Sequence, residues 1–267
     1  MAGGGHAPSH ARDARRDDAH RRAYHLRHDL VVWAAESLRP PDADVRRYYI
    51  DWFKTFADIT ADLGGESIGT QFAIFTYKDF GDAERRAALI RTAIDCWVEV
   101  AEHDRSAGLK YVFWEPMSIG REFGETIAAC MALQDQLSAA NMAIPMWMMA
   151  DIDHGDVTSP NPDDFDPYAW ARVVPKVSPI IHIKQSLMDK GGHRPFTGEY
   201  NALGRIQPEP LHAGGGRDNE ICLELSFKER EPTDRQVVEQ IAESVAFWAP
   251  RRAIASPCWS TRSAPRR

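Results

Sequence analysis

Between Asp42 and Leu63 the apolar residues Val45, Tyr48, Tyr49, Trp52, Phe56, Ile59 and Leu63 recur at steps of three and four. That spacing predicts an amphipathic helix with one buried stripe. Pro40-Pro41-Asp42 starts it and Gly64-Gly65 stops it. The run ESIGTQFAIF follows, rich in β-branched and aromatic residues, and reads as a strand. A second helix is predicted over about 82–107, through Ala87, Ile90, Ile94, Trp97 and Ala101, ending at Gly108.

The alternation then repeats. LKYVFWE (109–115) reads as a strand and 121–141 as a helix. IPMWMMAD (144–151) is a strand, with a short helix near 166–174. PIIHIKQ (179–185) and, after a long irregular stretch, EICLELSF (220–227) are strands. A last helix over 234–248 has Val237, Ile241, Val245 and Trp248 along one face. Near-continuous apolar strands suit a parallel sheet buried on both faces. Strand–helix alternation implies βαβ units and an α/β class.

No GxGxxG follows a strand and no GxxxxGK[ST] occurs, so neither dinucleotide-binding nor P-loop readings are supported. The repeat length fits a (β/α)8 TIM barrel. Five strand units are recognisable where such a barrel needs eight. Only DLVVWAA (29–35) resembles a strand before residue 40, so the barrel is expected to be incomplete at the N-terminus.

Composition adds limits. The 267 residues are 43% hydrophobic and 27% charged, an ordinary globular balance. No apolar run approaches a membrane span, and the N-terminus lacks an apolar signal core. Cys96, Cys130, Cys222 and Cys258 are far apart, which fits neither a disulfide scaffold nor a zinc finger and favours the cytoplasm.

Charge is uneven. Residues 1–28 carry six Arg and three Asp, and residues 251–267 five Arg and no acid. With a total of −7, the body over 29–250 is left with −15. A body of that charge repels a phosphate backbone, so nucleic acid is not the expected partner. Both ends, one rich in His and Arg and the other in Arg, Ser and Pro, read as disordered or aberrant basic tails around a barrel domain at 29–250.

The candidate chemistry lies where polar residues interrupt apolar strands. Glu115 ends YVFWE, Asp151 ends MWMMAD, His182 sits inside IIHIK and Glu224 inside ICLEL. Successive separations are 36, 31 and 42 residues, about one βα unit each. In a barrel, such residues converge at the C-terminal mouth. Two Glu, one Asp and one His would make a carboxylate–imidazole site for Mn²⁺, Mg²⁺, Co²⁺ or Zn²⁺. Each residue alone admits a plainer role: a solvated strand end, a helix cap or a core histidine. Glu224 is the hardest to explain so, because apolar neighbours flank it and a buried carboxylate without a partner is costly.

Around that set lie candidate substrate ligands. His154 follows Asp151 in DIDHG, and the DxxH spacing favours Asp151 over Asp153 as the ligand. Lys184 should point to the same side as His182 on a regular strand and could hold a phosphate or carboxylate, with Gln185 beside it. His193 and Arg194, in the polar loop GGHRPFTGEYN, could close over a substrate.

These strand-end residues resemble the xylose isomerase-like sugar isomerase/epimerase superfamily. The resemblance runs over about residues 40–248. Its segments are RRYYIDWFKTFADITADLG, GTQFAIFTYKDF, LKYVFWEPMSIGRE, PMWMMADIDHGD, IIHIKQS, PFTGEYNALGRIQPEP and ICLELSF. It implies a divalent metal on Glu115, Asp151, His182 and Glu224. It further implies Glu115 and Glu224 as the acid/base pair, and His154 as a substrate ligand near a carbonyl. The expected activity is metal-dependent 3-epimerisation of a short ketose phosphate, in an enzyme that could be a homo-oligomer. The alternatives are aldose–ketose isomerisation on the same site, an endonuclease IV-like repair enzyme, and an inactive truncated barrel. The repair enzyme needs a richer cluster and a basic groove, which the acidic body opposes.

Overall fold

The computed structural model of the chain describes residues 41–187, 192–213, 219–227 and 234–249. The expectations for 1–28, 29–35 and 251–267 lie outside the described residues.

Helix α1 (Ala43–Asp62) begins where Asp42 caps it. The Asp42 carboxylate accepts from Asp44 N at 2.9 Å and Val45 N at 3.0 Å, satisfying two otherwise orphaned donors. The buried face is Tyr49, Ile50, Phe53, Ala57 and Thr60. The expected stripe is therefore rotated, and Tyr48, Ile59 and Leu63 face out.

Strand β1 is Ser67–Gln71, and short helix α2 (Tyr77–Gly81) precedes α3 (Ala83–Ala107). The FAIF half of the predicted strand is buried but not in the sheet. The Trp97 indole donates to the Phe72 carbonyl at 2.9 Å, and Phe75 N donates to the Arg121 carbonyl at 3.0 Å. Those backbone groups are thus taken by other partners just past β1. Asp82 caps α3, and Gly108 closes it at φ 95°, a left-handed position suited to glycine.

Strand β2 (Tyr111–Glu115) leads into a turn at 120–122 and then α4 (Ile127–Ala139). The helix expected over 121–141 starts later, because residues 121–126 are spent in a loop. In that loop Phe123 has φ 71°, held by edge contacts to Phe72, Phe75 and Phe80. Such backbone positions in a non-glycine residue cost about 1–3 kcal/mol and persist only when packing enforces them. Buried Gln134 on α4 accepts from the Trp114 indole at 2.8 Å and donates to the Met146 carbonyl at 3.0 Å, tying the helix to two strands.

Strand β3 (Met146–Asp151), α5 (Pro167–Val173) and β4 (Ile180–Ile183) continue the alternation. Two short helices, α6 (Gly198–Asn201) and α7 (Pro208–Ala213), break the irregular stretch before β5 (Glu220–Leu223). Helix α8 spans Asp234–Trp248, as its periodicity predicts. Of the expected inner face Trp248 is buried, but Ile241 and Val245 are exposed and Ser244 is buried instead. The Ser244 hydroxyl accepts from Phe196 N at 2.8 Å and donates to the Gln240 carbonyl at 2.7 Å, so a polar side chain sits inside without an unsatisfied group.

The five described strands form one parallel sheet in the order β1-β2-β3-β4-β5. It is α/β with barrel-type βα units, and β1 and β5 are not paired to each other. Register places Gln71 beside Glu115, and Asp151 beside His182. Every strand therefore delivers its C-terminal residue to the same end. Among the described residues no helix is long and apolar enough to cross a membrane.

Candidate active site

Parallel strands in register place Glu115 at the end of β2 and Asp151 at the end of β3. His182 is the third residue of β4, and Glu224 directly follows β5. The Glu224 amide still bonds the Ile183 carbonyl at 2.9 Å, which continues the pairing and fixes where its side chain starts. Glu115, Asp151 and His182 are buried.

The side chains converge. Glu115, Asp151, His154 and Glu224 each offer a ligand atom, all within 4.8 Å of one another. His182 Nδ1 lies 3.4 Å from Glu115 Oε1 and 3.8 Å from Glu224 Oε2. His154 enters from the loop after β3. Its Nδ1 lies 3.2 Å from the Pro116 carbonyl oxygen, and its Nε2 lies 3.3 Å from Asp151 Oδ2. A carbonyl only accepts, so Nδ1 donates to it and Nε2 faces the cluster.

Two basic groups complete the centre. The ammonium of Lys184, 3% exposed, bonds the Asp151 carboxylate. It also lies 2.7 Å from His154 Nε2, 3.0 Å from His193 Nε2 and 3.4 Å from Glu224 Oε2. His193 reaches in from the loop and stands 3.4 Å from Glu224 Oε1.

Protonation follows from this packing. Burial pushes the Glu115 carboxyl up, against the pull of His182. Burial alone would also raise Asp151, but the charges of His154 and Lys184 hold it below the usual carboxylate range. Burial opposes the charged form of His182, and Cys222 and Glu115 outweigh it, raising the imidazole to about 10.

The residues present fit a divalent cation. Glu115 Oε1 and both ring nitrogens of His182 are buried and have no hydrogen-bond partner of regular geometry among the described residues. Such orphaned atoms are costly unless a further ligand uses them. The donors are carboxylate oxygens and imidazole nitrogens with no thiolate, a set suited to Mn²⁺, Mg²⁺, Co²⁺ or Zn²⁺.

Two sequence-selected residues stay outside. Gln185 is buried, and its amide donates to Asn201 Oδ1 at 2.9 Å and the Ile206 carbonyl at 3.0 Å. Its Oε1 accepts from Ile206 N at 3.0 Å, so it braces the 201–206 loop instead of facing the cluster. The Arg194 guanidinium lies over the Tyr200 ring at 5.8 Å, and its backbone pairs with Gln185. Asp153 turns from the cluster toward Arg205, whose Nε is 3.4 Å away. Arg205 was not legible as part of the support, because it is 52 residues further along the chain.

No protein-family model matches the chain. The chain is 81% identical over 214 residues to the D-erythrulose 1-phosphate 3-epimerase of Brucella abortus (strain 2308), covering 79% of this chain and 69% of that protein. A Rhodospirillum rubrum protein described provisionally as a xylose isomerase superposes with a TM-score of 0.69 at 22% identity, over 80% of this chain and 71% of its own. A D-psicose 3-epimerase from Clostridium cellulolyticum H10, solved with D-tagatose, gives 0.58 at 13% identity, over 81% and 74%. The two structures share the fold, and the Brucella protein shares the sequence.

Proposed function

Because the chain belongs to the family of the Brucella D-erythrulose 1-phosphate 3-epimerase, an isomerase family of xylose isomerase-like fold, we propose that it inverts C3 of a four-carbon ketose 1-phosphate such as erythrulose 1-phosphate. The observation that carries the reading is the pairing of Glu115 and Glu224 about His182. Two carboxylates from β2 and β5 come within 3.4 and 3.8 Å of one imidazole nitrogen and face one small volume.

Epimerisation beside a carbonyl needs a base on one face of the carbon and an acid on the other. One glutamate takes the C3 proton and the other returns a proton to the opposite face of the enediolate. General acid/base help of this kind contributes about 10²–10⁴ in rate. Glu115, Asp151, His182 and Glu224 would hold a divalent cation, whose Lewis acidity would make the C3 proton easier to remove. His154, Lys184 and His193 would bind substrate oxygens, with Arg194 at the rim. Gln185 would act from outside the cluster, by bracing the 201–206 loop.

A four-carbon substrate suits the breakdown of erythritol, and three described cysteines outside any disulfide suit a cytoplasmic setting. Solvent exchange tests the reaction. The Mn²⁺-loaded protein is incubated in D₂O with erythrulose 1-phosphate, unphosphorylated erythrulose and longer ketoses, and C–H loss is followed by NMR. The expected result is deuterium at C3 and a second ketose epimer. An aldose product with exchange at C1 from the unphosphorylated ketoses, whose C1 hydroxyl is free, would instead establish aldose–ketose isomerisation.

A further inference from the structure

We propose that the Lys184 ammonium is a built-in cation of the carboxylate cluster, which a divalent ion must displace in order to bind. The inference rests on the metal-dependent reading above and concerns how that site is loaded.

The ammonium touches the Asp151 carboxylate and lies 2.7 Å from His154 Nε2, 3.0 Å from His193 Nε2 and 3.4 Å from Glu224 Oε2. Asp151, His154 and Glu224 are three of the four residues whose ligand atoms gather within 4.8 Å. His154, His193 and Glu224 form a second such group, and Lys184 contacts all three. The amine thus occupies oxygens of Asp151 and Glu224, two of the four ligands assigned to the metal, together with the imidazole nitrogens beside them. A lysine ammonium and a divalent ion sharing those donors would repel strongly in a water-poor site.

The arrangement has a physical purpose. Three carboxylates drawn together at buried or half-buried strand ends repel one another and lose hydration. A buried ammonium with three donor hydrogens offsets that repulsion and satisfies oxygens of both Asp151 and Glu224. Its four-carbon stem can swing aside without moving the strand. The site is therefore formed before metal arrives, at the expense of affinity for the metal.

The test uses the full chain, stripped with a chelator, and its Lys184→Met variant. The variant keeps an unbranched side chain one atom shorter and removes the charge. Melting in chelator and calorimetric titration with Mn²⁺ are compared. Without metal, the variant is expected to melt about 10 °C lower, because a buried carboxylate loses its partner. It is expected to bind Mn²⁺ roughly ten- to a hundredfold more tightly than wild type, and to gain more in melting temperature from the ion. Equal or weaker Mn²⁺ binding by the variant overturns the proposal and leaves the metal reading intact. If wild type binds no Mn²⁺, the metal reading falls and the proposal with it.

Should the variant fail to fold with and without Mn²⁺, wild type decides. Acetylation of Lys184, read by mass spectrometry, is expected to rise several-fold when Mn²⁺ is added, as the amine leaves the carboxylates. Unchanged or reduced labelling would overturn the proposal.

Discussion

His154 Nδ1 lies 3.2 Å from the Pro116 carbonyl oxygen, joining the loop after β3 to the residue that follows Glu115 on β2. The contact keeps a proton on Nδ1 of His154 and aims its Nε2 at Asp151 and Lys184. Replacing His154 with Gln is expected to lower kcat/KM for C3 exchange by about 10–100-fold, the usual effect of disturbing a group that orients a metal or substrate ligand. The far-UV spectrum should not change. Steady-state kinetics with wild-type values would show that the Pro116 contact is irrelevant to turnover.

The two glutamates make a stricter prediction. Glu115→Gln and Glu224→Gln should each reduce deuterium incorporation at C3 by at least about 10²-fold, since each removes one half of a proton relay. If either variant exchanged the C3 proton at the wild-type rate, that residue would not be part of the relay.

Gly155 follows His154, and a Cβ there would meet the Asp164 carbonyl oxygen at 1.6 Å. Backbone must move to admit it. Asp164 is itself anchored, accepting from Ile127 N at 3.0 Å and the Ser159 hydroxyl at 2.6 Å. Gly155→Ala is expected to cost about 1–3 kcal/mol, read as a fall in melting temperature, and to weaken catalysis by displacing His154. A variant with wild-type melting and wild-type kinetics would show that this approach relaxes freely.

Gln185 makes the opposite case, of a residue near the site whose role is support. Gln185→Leu would leave the Ile206 N–H and the Asn201 side chain without their buried partner. Leaving buried groups unpaired costs about 1–3 kcal/mol each, so a clear loss of stability is expected in chemical denaturation. Mn²⁺ affinity, measured below the unfolding transition, should not change. A large fall in that affinity would place Gln185 in the binding machinery after all.

Asp104 lies buried on α3, and its carboxylate oxygens have no hydrogen-bond partner among the described residues. Burial, with a smaller contribution from Asp58, raises its pKa from 3.8 to about 8. Between those values the folded state holds a proton that the unfolded chain has released. Stability from this group is thus greatest at low pH and is lost as pH rises from about 4 to about 8. Asp104→Asn, which cannot ionise, is expected to flatten the fall in melting temperature between pH 5 and 8. An unchanged slope would assign that fall to another group.

Much of this could be read from residue order. Asp42 before an apolar stripe marks the start of α1, and Gly108 marks the end of α3, because caps and left-handed positions are local chemistry. Polar residues at the ends of apolar strands pointed to Glu115, Asp151, His182 and Glu224, since parallel strands in register must bring their ends together. Lys184, two residues after His182, was placed on the same side by strand alternation, and it does reach the Asp151 carboxylate.

Tertiary structure decided the rest. Periodicity chose Ile241 and Val245 for the inner face of α8, yet Ser244 lies inside because the Phe196 N–H needs an acceptor there. Hydrophobicity ranks side chains by their cost in water, and it carries no record of which backbone donor waits across a contact. The same holds for FAIF after β1, whose Phe72 carbonyl is taken by the Trp97 indole 25 residues later. It holds too for Gln185, drawn to Asn201 and Ile206, and for Lys184, whose four neighbours come from three separate segments. Local sequence determined where strands and helices begin and which residues stand at the strand ends. The partner of each buried polar group was settled only by the folded chain, because satisfying it is a long-range constraint that no local pattern contains.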